Sequence, residues 1–245
     1  MRIIQLTDLH LFDSHNLALH GHTTHDGLKR VIDFIVFNNG LGCDAVLVTG
    51  DISQDGSLAS YYLALQQLER IGLPIVYIHG NHDNKQHMDT VFTRSTLVRP
   101  IIELASDTWQ LITVDTVQGG DDSGWVTSEE KNRIEQEIIK YKGKNIALIM
   151  HHHPVPVGTP LVDDCMLRNG SEIVAICHAH DRVKALICGH AHRDYSQMAN
   201  QCLIDVCPAT CFQWLKGTKT IRAEDKQGFK LLAFADNYGS TVCYV

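Results

Sequence analysis

The sequence predicts an α/β fold with a parallel sheet covered by helices. Three observations carry that reading. Strand-like apolar runs alternate with helical periodicity, the first elements come in βαβαβ order, and the runs repeatedly end on short polar motifs. Residues 3–6 form the first buried strand, ending at Asp8, and residues 26–37 the first helix, with Leu28, Val31, Ile32 and Ile35 on one face. Residues 45–48 are the next strand and lead to Gly50-Asp51. Residues 58–71 are helical, and residues 74–78 make a third strand that ends at Gly80-Asn81.

The second half repeats the theme. Residues 109–114 are strand-like, and Thr127-x-x-Glu130 has the form of a capping box opening a helix that carries Ile134, Ile138 and Tyr141. Residues 145–150 run as a strand into His151-His152-His153. Residues 171–178 form a helix, and residues 183–188 a strand leading to Gly189-His190. Residues 202–206, 229–234 and 241–245 are strand-like with turns and little helix between them, which suits antiparallel pairing.

A length of 245 residues with 44% hydrophobic content fits a single α/β domain over 1–245, with no linker-like stretch. The net charge of −7 excludes a sequence-independent grip on a nucleic-acid polymer, which needs a basic stripe. A small anionic substrate remains open to it, because bound metals make a site locally positive. The eight cysteines contain no Cys-x-x-Cys pair, and several lie within apolar runs, so they read as reduced, packed thiols in a cytoplasmic protein. The first residues lack the pattern of a signal peptide, and no run approaches the ~18 apolar residues of a membrane span. A homodimer is compatible with the sequence, which fixes no oligomeric state.

Five motifs carry the chemistry: Asp8-Leu9-His10, Gly50-Asp51, Gly80-Asn81-His82-Asp83, His151-His152-His153-Pro154 and Gly189-His190-Ala191-His192. They follow strands, and open α/β sheets bind ligands beyond the carboxyl ends of their strands. Asp8 and His10 are two apart and point the same way in extended backbone, as do His190 and His192, so each pair can grip one ion. Together the motifs supply carboxylate, imidazole and amide ligands for two metal ions. Hard oxygen and imidazole nitrogen suit Fe, Mn or Zn. His178-Ala179-His180 ends a helix and reads as structural, while His20, His22 and His25 fall in a polar loop and read as solvated.

These motifs resemble the pattern of the calcineurin-like metallophosphoesterase superfamily: D-x-H, GD, GNHD/E, H and GHxH, over residues 4–192. The resemblance implies a four-layer α/β/β/α sandwich and a dinuclear centre. Carried over by motif, Asp8, His10 and His192 hold one ion, Asn81, His152 and His190 the other, and Asp51 bridges both. His152 is chosen because the family ligand stands two residues before the proline, with His151 and His153 as second choices. His82 resembles the family histidine that contacts the phosphate and protonates the leaving alkoxide, with Asp83, or Asp55, to orient it. Two ions ~3.5–4 Å apart hold a bridging hydroxide for in-line attack on phosphorus. Formally, two divalent ions outweigh Asp8, Asp51 and that hydroxide by a single positive charge, which suits a phosphodiester monoanion.

Flanking segments resemble bacterial class III 3′,5′-cyclic-AMP phosphodiesterases more closely. They are residues 5–12, 50–56 and 151–158, together with Leu167-Arg168-Asn169 and Pro208-Ala209-Thr210-Cys211-Phe212-Gln213. That similarity implies cyclic AMP as substrate, with Asn81, Asn169, Thr210 and Gln213 as contacts beside His82. The segment of His20, His22 and His25 departs from the family, and residues after Lys216 match it poorly. A broad-specificity enzyme for 2′,3′-cyclic nucleotides or glycerophosphodiesters is the alternative, since fold does not set substrate. A binding module that has lost its ligands is the reading from another class, and here every ligand position is filled.

Overall fold

The computed structural model describes all 245 residues. β1 (Arg2–Leu6) leads through a small hairpin, β2 (Ala18–Leu19) and β3 (His22–Thr23), into α1 (Thr24–Phe37). Then come β4 (Ala45–Thr49), α2 (Leu58–Glu69), β5 (Ile75–Ile78), α3 (Lys85–Phe92) and β6 (Trp109–Thr113). They are followed by α4 (Ser128–Lys140), β7 (Asn145–Ile149), α5 (Pro160–Asp163), α6 (Gly170–Ala179) and β8 (Val183–Cys188). Strands dominate the remainder: β9 (Tyr195–Ala199), β10 (Cys202–Val206), β11 (Gln213–Trp214), β12 (Ala223–Glu224), β13 (Gly228–Phe234) and β14 (Tyr238–Tyr244).

Two five-stranded sheets result, in the orders β14-β13-β1-β4-β5 and β6-β7-β8-β10-β9. Strand periodicity explains how they stack. Ile3, Ala45, Leu47 and Val76 from the first sheet pack against Leu111, Ala147, Ile149, Ala185 and Ile187 from the second. The alternate residues Ile4, Val46 and Val48 face α1–α3, while Ile146, Leu148 and Leu186 pack with Ile134 and Ile138 of α4 and Ile173 of α6. The predicted four-layer α/β/β/α sandwich is therefore what the chain builds. Each of the fully buried Val, Leu and Ile side chains among them contributes roughly 1.5–3 kcal/mol by leaving water. Helix starts are set locally. The Thr127 hydroxyl accepts from the Glu130 amide, as the capping box predicts, and the Ser57 hydroxyl accepts from the Ser60 amide.

Several features differ from the sequence reading. Of the three late strands, β13 and β14 are antiparallel as expected, with β13 joining β1 in the first sheet, but β10 runs parallel to β8 and is antiparallel only to β9. β9 was not expected, because this edge strand is mostly polar and exposed. α3 likewise has a weak sequence signal, since only Met88, Val91 and Phe92 along it are buried. The sequence gives no sign of the polar clamp between the sheets either. Lys230 of β13, 1% exposed, pairs with the buried Asp205 of β10 and lies 2.7 Å from Asp194. Tyr238 donates to the other Asp205 oxygen at 2.6 Å.

Candidate metal centre

The first four motifs and the last lie at the carboxyl ends of β1, β4, β5, β7 and β8, gathered where the two sheets meet. The backbone there is unusual. Nine non-glycine residues have positive φ, and Asp8, His10, Asp51, His190 and His192 are five of them. Such strain clusters at functional sites, where the surrounding structure holds it in place. Glycines give the room for it. A Cβ on Gly80 would lie 2.1 Å from Asp51 Oδ1, and Gly50 itself sits at φ +98°.

Two sets of ligand atoms converge on Asp51 Oδ2. On one side stand the Nε2 atoms of His10 and His192, 3.0 Å apart, with His10 Nε2 3.6 Å from Asp51 Oδ2. Asp8 Oδ1 faces the same point, 3.5 Å from His192 Nε2 and 3.9 Å from His10 Nε2. On the other side, His151 Nε2 lies 3.2 Å from Asp51 Oδ2, 3.1 Å from Asn81 Oδ1 and 3.3 Å from His190 Nδ1. Asp51 Oδ1 is occupied separately, accepting from the His82 amide.

Hydrogen bonds outside each set fix which atoms face inward. His10 Nδ1 donates to Gln54 Oε1 at 2.7 Å, leaving Nε2 as the lone-pair nitrogen. His190 Nε2 donates to the Cys165 carbonyl at 3.0 Å, which leaves Nδ1 inward, and His151 Nδ1 donates to the Thr49 carbonyl at 2.8 Å. Asp8 Oδ2 accepts from the His190 amide at 3.0 Å, while Asp8 Oδ1 is buried and has no hydrogen-bond partner. A buried carboxylate oxygen aimed at two imidazole nitrogens, without a donor of its own, is the environment a cation satisfies. The residues fit two metal ions sharing Asp51.

Electrostatics agree. Burial pushes His10 down to about 4 and holds His190 and His192 well below the usual imidazole range, so these three are neutral, as metal ligands must be, and burial lowers His152 in the same way. Burial raises Asp8, with Asp51 adding to the rise against the opposing pull of His151. Burial opposes charge on Asp51, yet the His151 imidazolium beside it keeps its carboxyl well below the usual range. His151 is the exception among the histidines. Burial opposes its charge, but Asp51 and Asp8 overcome this and raise it to about 9. In the metal-free protein a proton on His151 therefore supplies positive charge between the two carboxylates.

Nitrogens of His151, His152 and His190 all lie within 4.8 Å of one another, but of the two neighbours His152 is the less well placed. Its Nδ1 lies 2.8 Å from Thr116 Oγ1 and its Nε2 3.1 Å from the Asp122 carbonyl, so the ring is engaged away from Asn81 and Asp51. His151, held above as a second choice, occupies the inward position. Strand parity gives the reason. Ala147 and Ile149 face the space between the sheets, and His151 continues that face, whereas His152 continues the outward face of Leu148 and Met150. His153 is buried near Asp163, its Nε2 3.5 Å from that carboxylate.

Asp83 is likewise a brace. Its two oxygens accept from the amides of Ile52, Ser53 and Gly80 and from the Tyr61 hydroxyl, and it does not bond the His82 ring. Asp55 accepts from the Asp13 and Ser57 amides. The group that does orient His82 is Gln54, whose Nε2 donates to His82 Nδ1 at 3.2 Å. Its sole sequence signal was its position three residues after Asp51.

Of the expected substrate contacts, Asn81 and His82 line the cleft, whereas Asn169, Thr210 and Gln213 do not. Asn169 accepts from the Val126 amide and donates to its carbonyl; the Thr210 hydroxyl donates to the Thr7 carbonyl at 2.6 Å; Gln213 donates to the carbonyls of Ala209 and Lys226. All three are buried loop braces. Of the histidine-rich segment, His25 is buried at the start of α1, His22 packs on Phe212, and His20 lines the cleft. The cleft over the ligands has a volume of about 240 Å³. A larger cavity of about 510 Å³, between β5 and β6, holds none of the seven candidate ligands.

A two-sheet sandwich with paired His/Asp ligand sets at its strand ends is the frame of a metal-dependent phosphoester hydrolase. The chain belongs to the calcineurin-like phosphoesterase family, whose pattern matches residues 1–194. It is 35% identical over 246 residues to a protein of Xenorhabdus bovienii named "Probable cyclic nucleotide phosphodiesterase", covering 99% of each chain. It is 27% identical to the 3′,5′-cyclic adenosine monophosphate phosphodiesterase CpdA of Pseudomonas aeruginosa, over 88% of this chain and 78% of that one. Among solved structures, a dimetal phosphatase from Danio rerio superposes with a TM-score of 0.68 at 10% identity, over 98% of both chains, which shows a shared fold. No helix is long and apolar enough to cross a membrane.

Proposed function

We propose that the protein hydrolyses 3′,5′-cyclic AMP to 5′-AMP at a dinuclear metal centre. Asp8, His10 and His192 hold one ion, Asn81, His151 and His190 the other, and Asp51 Oδ2 lies between. The observation that carries this reading is the convergence of the two ligand sets on one carboxylate oxygen, with Asp8 Oδ1 buried and unpartnered. The names of the relatives support the substrate.

Bound there, two divalent ions supply Lewis acidity toward the phosphate and an activated water at neutral pH. The chain's own residues do the rest. Gln54 donates to His82 Nδ1, so the neutral His82 ring carries its proton on Nε2. His82 is half-buried on the cleft wall, its ring centroid 5.0 Å from that of His10. As water adds to phosphorus and the bond to O3′ breaks, the His82 Nε2–H group donates a hydrogen bond to the departing O3′, which takes up the proton released by the attacking water. The apolar packing beneath the site fixes the ligand rings, so little reorganisation accompanies the charge that builds on phosphorus.

The test is a kcat/KM panel on Mn²⁺-loaded protein with 3′,5′-cyclic AMP, 2′,3′-cyclic AMP, bis(p-nitrophenyl) phosphate and a phosphomonoester. Preference for 3′,5′-cyclic AMP with 5′-AMP as product is expected. Equal turnover of all three diesters identifies a broad phosphodiesterase instead, and preference for the monoester removes the diesterase reading.

A further inference from the structure

We propose that the cleft carries a base-binding wall beside the metal ligands, built from His20, Leu161, Trp214 and Ile221, which takes the planar heteroaromatic base of a nucleoside phosphate. The proposal rests on the phosphodiesterase reading and adds to it the residues that select the substrate.

The two sides of the cleft are unlike. One presents the motif residues with Gln54 and His82, and the other is assembled from the β2–β3 hairpin, α5, β11 and the loop carrying Ile221. These segments are distant in sequence, yet they bring aromatic and aliphatic groups to one place. Ile221 is 58% exposed and His20 is exposed, so these two leave apolar and ring surface open to solvent beside a strongly polar centre, with Leu161 half-buried and Trp214 buried beneath them. Single exposed apolar residues mean little, but a set lining one functional cleft marks a ligand surface.

The rings are held in place. Trp214 stacks on His192 with centroids 5.3 Å apart at 25°, and Phe212 meets it edge-on at 4.9 Å. His20 stands over Trp214 at 5.4 Å. Its backbone is the second observation. His20 and Gly21 have φ +50° and +85° in a hairpin pairing Leu19 with His22, the two-residue turn in which Asn-Gly is the favoured sequence. A histidine at the first turn position bears strain that asparagine largely avoids, and strain held at the mouth of a site points to use of the side chain. Slots of this composition, apolar with a few polar groups, take flat heteroaromatic rings through stacking. A glycerol or ribose phosphate offers no such face.

His20→Asn and Ile221→Ser test the wall, since both sites are exposed and asparagine suits the turn. Trp214 is left intact because it packs on a candidate ligand. Calorimetry on Mn²⁺-loaded protein compares 5′-AMP with ribose 5-phosphate, and steady-state kinetics follow cyclic AMP. The wild-type protein is expected to bind 5′-AMP at least tenfold more tightly than ribose 5-phosphate. Each variant should lose several-fold of that preference, with the loss appearing in KM for cyclic AMP rather than kcat. Variants that keep the wild-type preference, or that weaken both ligands alike, overturn the wall. Base-selective binding without hydrolysis of any cyclic nucleotide leaves the wall standing and removes the phosphodiesterase reading, whereas cyclic AMP hydrolysis with no base preference does the reverse.

Discussion

Gln54 Oε1 lies 2.7 Å from His10 Nδ1, and this contact decides which nitrogen of His10 faces Asp51. The same amide donates to His82, so one side chain sets the tautomers of a candidate ligand and of the histidine that faces the substrate. Replacing Gln54 with Leu frees both rings. Removing such outer support typically costs 10–100-fold in metal affinity or activity. Calorimetric metal titration of Gln54→Leu should show one of two Mn²⁺ sites weakened by about that factor. Two sites of wild-type affinity would remove Gln54 from this role.

His82 is expected to act on the substrate rather than on the metals. His82→Ala should therefore bind two Mn²⁺ per chain and turn over roughly 10²–10⁴-fold more slowly. Elemental analysis with kcat measured on cyclic AMP checks both halves, and full activity in the variant rules out its part in stabilising the leaving oxygen.

The two neighbouring histidines should behave differently. His151→Ala is expected to lose one equivalent of bound metal, because His151 Nε2 faces Asp51, Asn81 and His190. His152→Ala should retain two equivalents, since its nitrogens engage Thr116 and Asp122. Metal content of the two purified variants decides between them, and the reverse pattern restores the proline-based assignment.

Loading should release protons. In the metal-free protein His151 is raised to about 9, so near pH 7.5 it is protonated and must lose that proton to coordinate. Affinity for Mn²⁺ is then expected to rise with pH and level off above about 9. Adding Mn²⁺ to weakly buffered protein should acidify the solution, and His151→Ala should release fewer protons per metal bound.

The Lys230–Asp205 pair should matter for stability. Lys230→Met leaves the Asp205 carboxylate buried without its cation, at a cost of about 3–5 kcal/mol. Burial opposes charge on Asp205, but Lys230, together with hydrogen bonds from Tyr238 and Ser240, more than compensates, so its folded pKa lies below the ordinary carboxylate value. A lowered folded pKa gives stability that is present above the unfolded value and is lost as pH falls through the folded one. The gap between wild type and variant in urea denaturation should thus be constant near neutrality and shrink below about pH 4. A gap that does not narrow in acid contradicts the ionic origin.

Much of this was legible in the sequence, for physical reasons. Ile3, Val46, Leu148 and Leu186 lie in runs whose period defines strands, and Asp8, Asp51, Asn81 and His190 follow those runs closely enough to mark the sheet ends. What failed depended on direction in space. Counting back from Pro154 picked His152, whereas strand parity aims His151 inward. Asn169, Thr210 and Gln213 belong to distinctive segments, but their side chains meet backbone groups that no local pattern reveals. Gln54 and Trp214 were missed because their partners, His82, His10 and His192, are brought near only by the two-sheet stack.

The central claim is that the two ligand sets work as one centre. Turnover of bis(p-nitrophenyl) phosphate, measured against Mn²⁺ bound per chain, tests this most directly. Activity should stay low through the first equivalent and appear with the second, reaching its maximum at two. Full activity at one equivalent, or a protein that binds only one ion, would contradict the account.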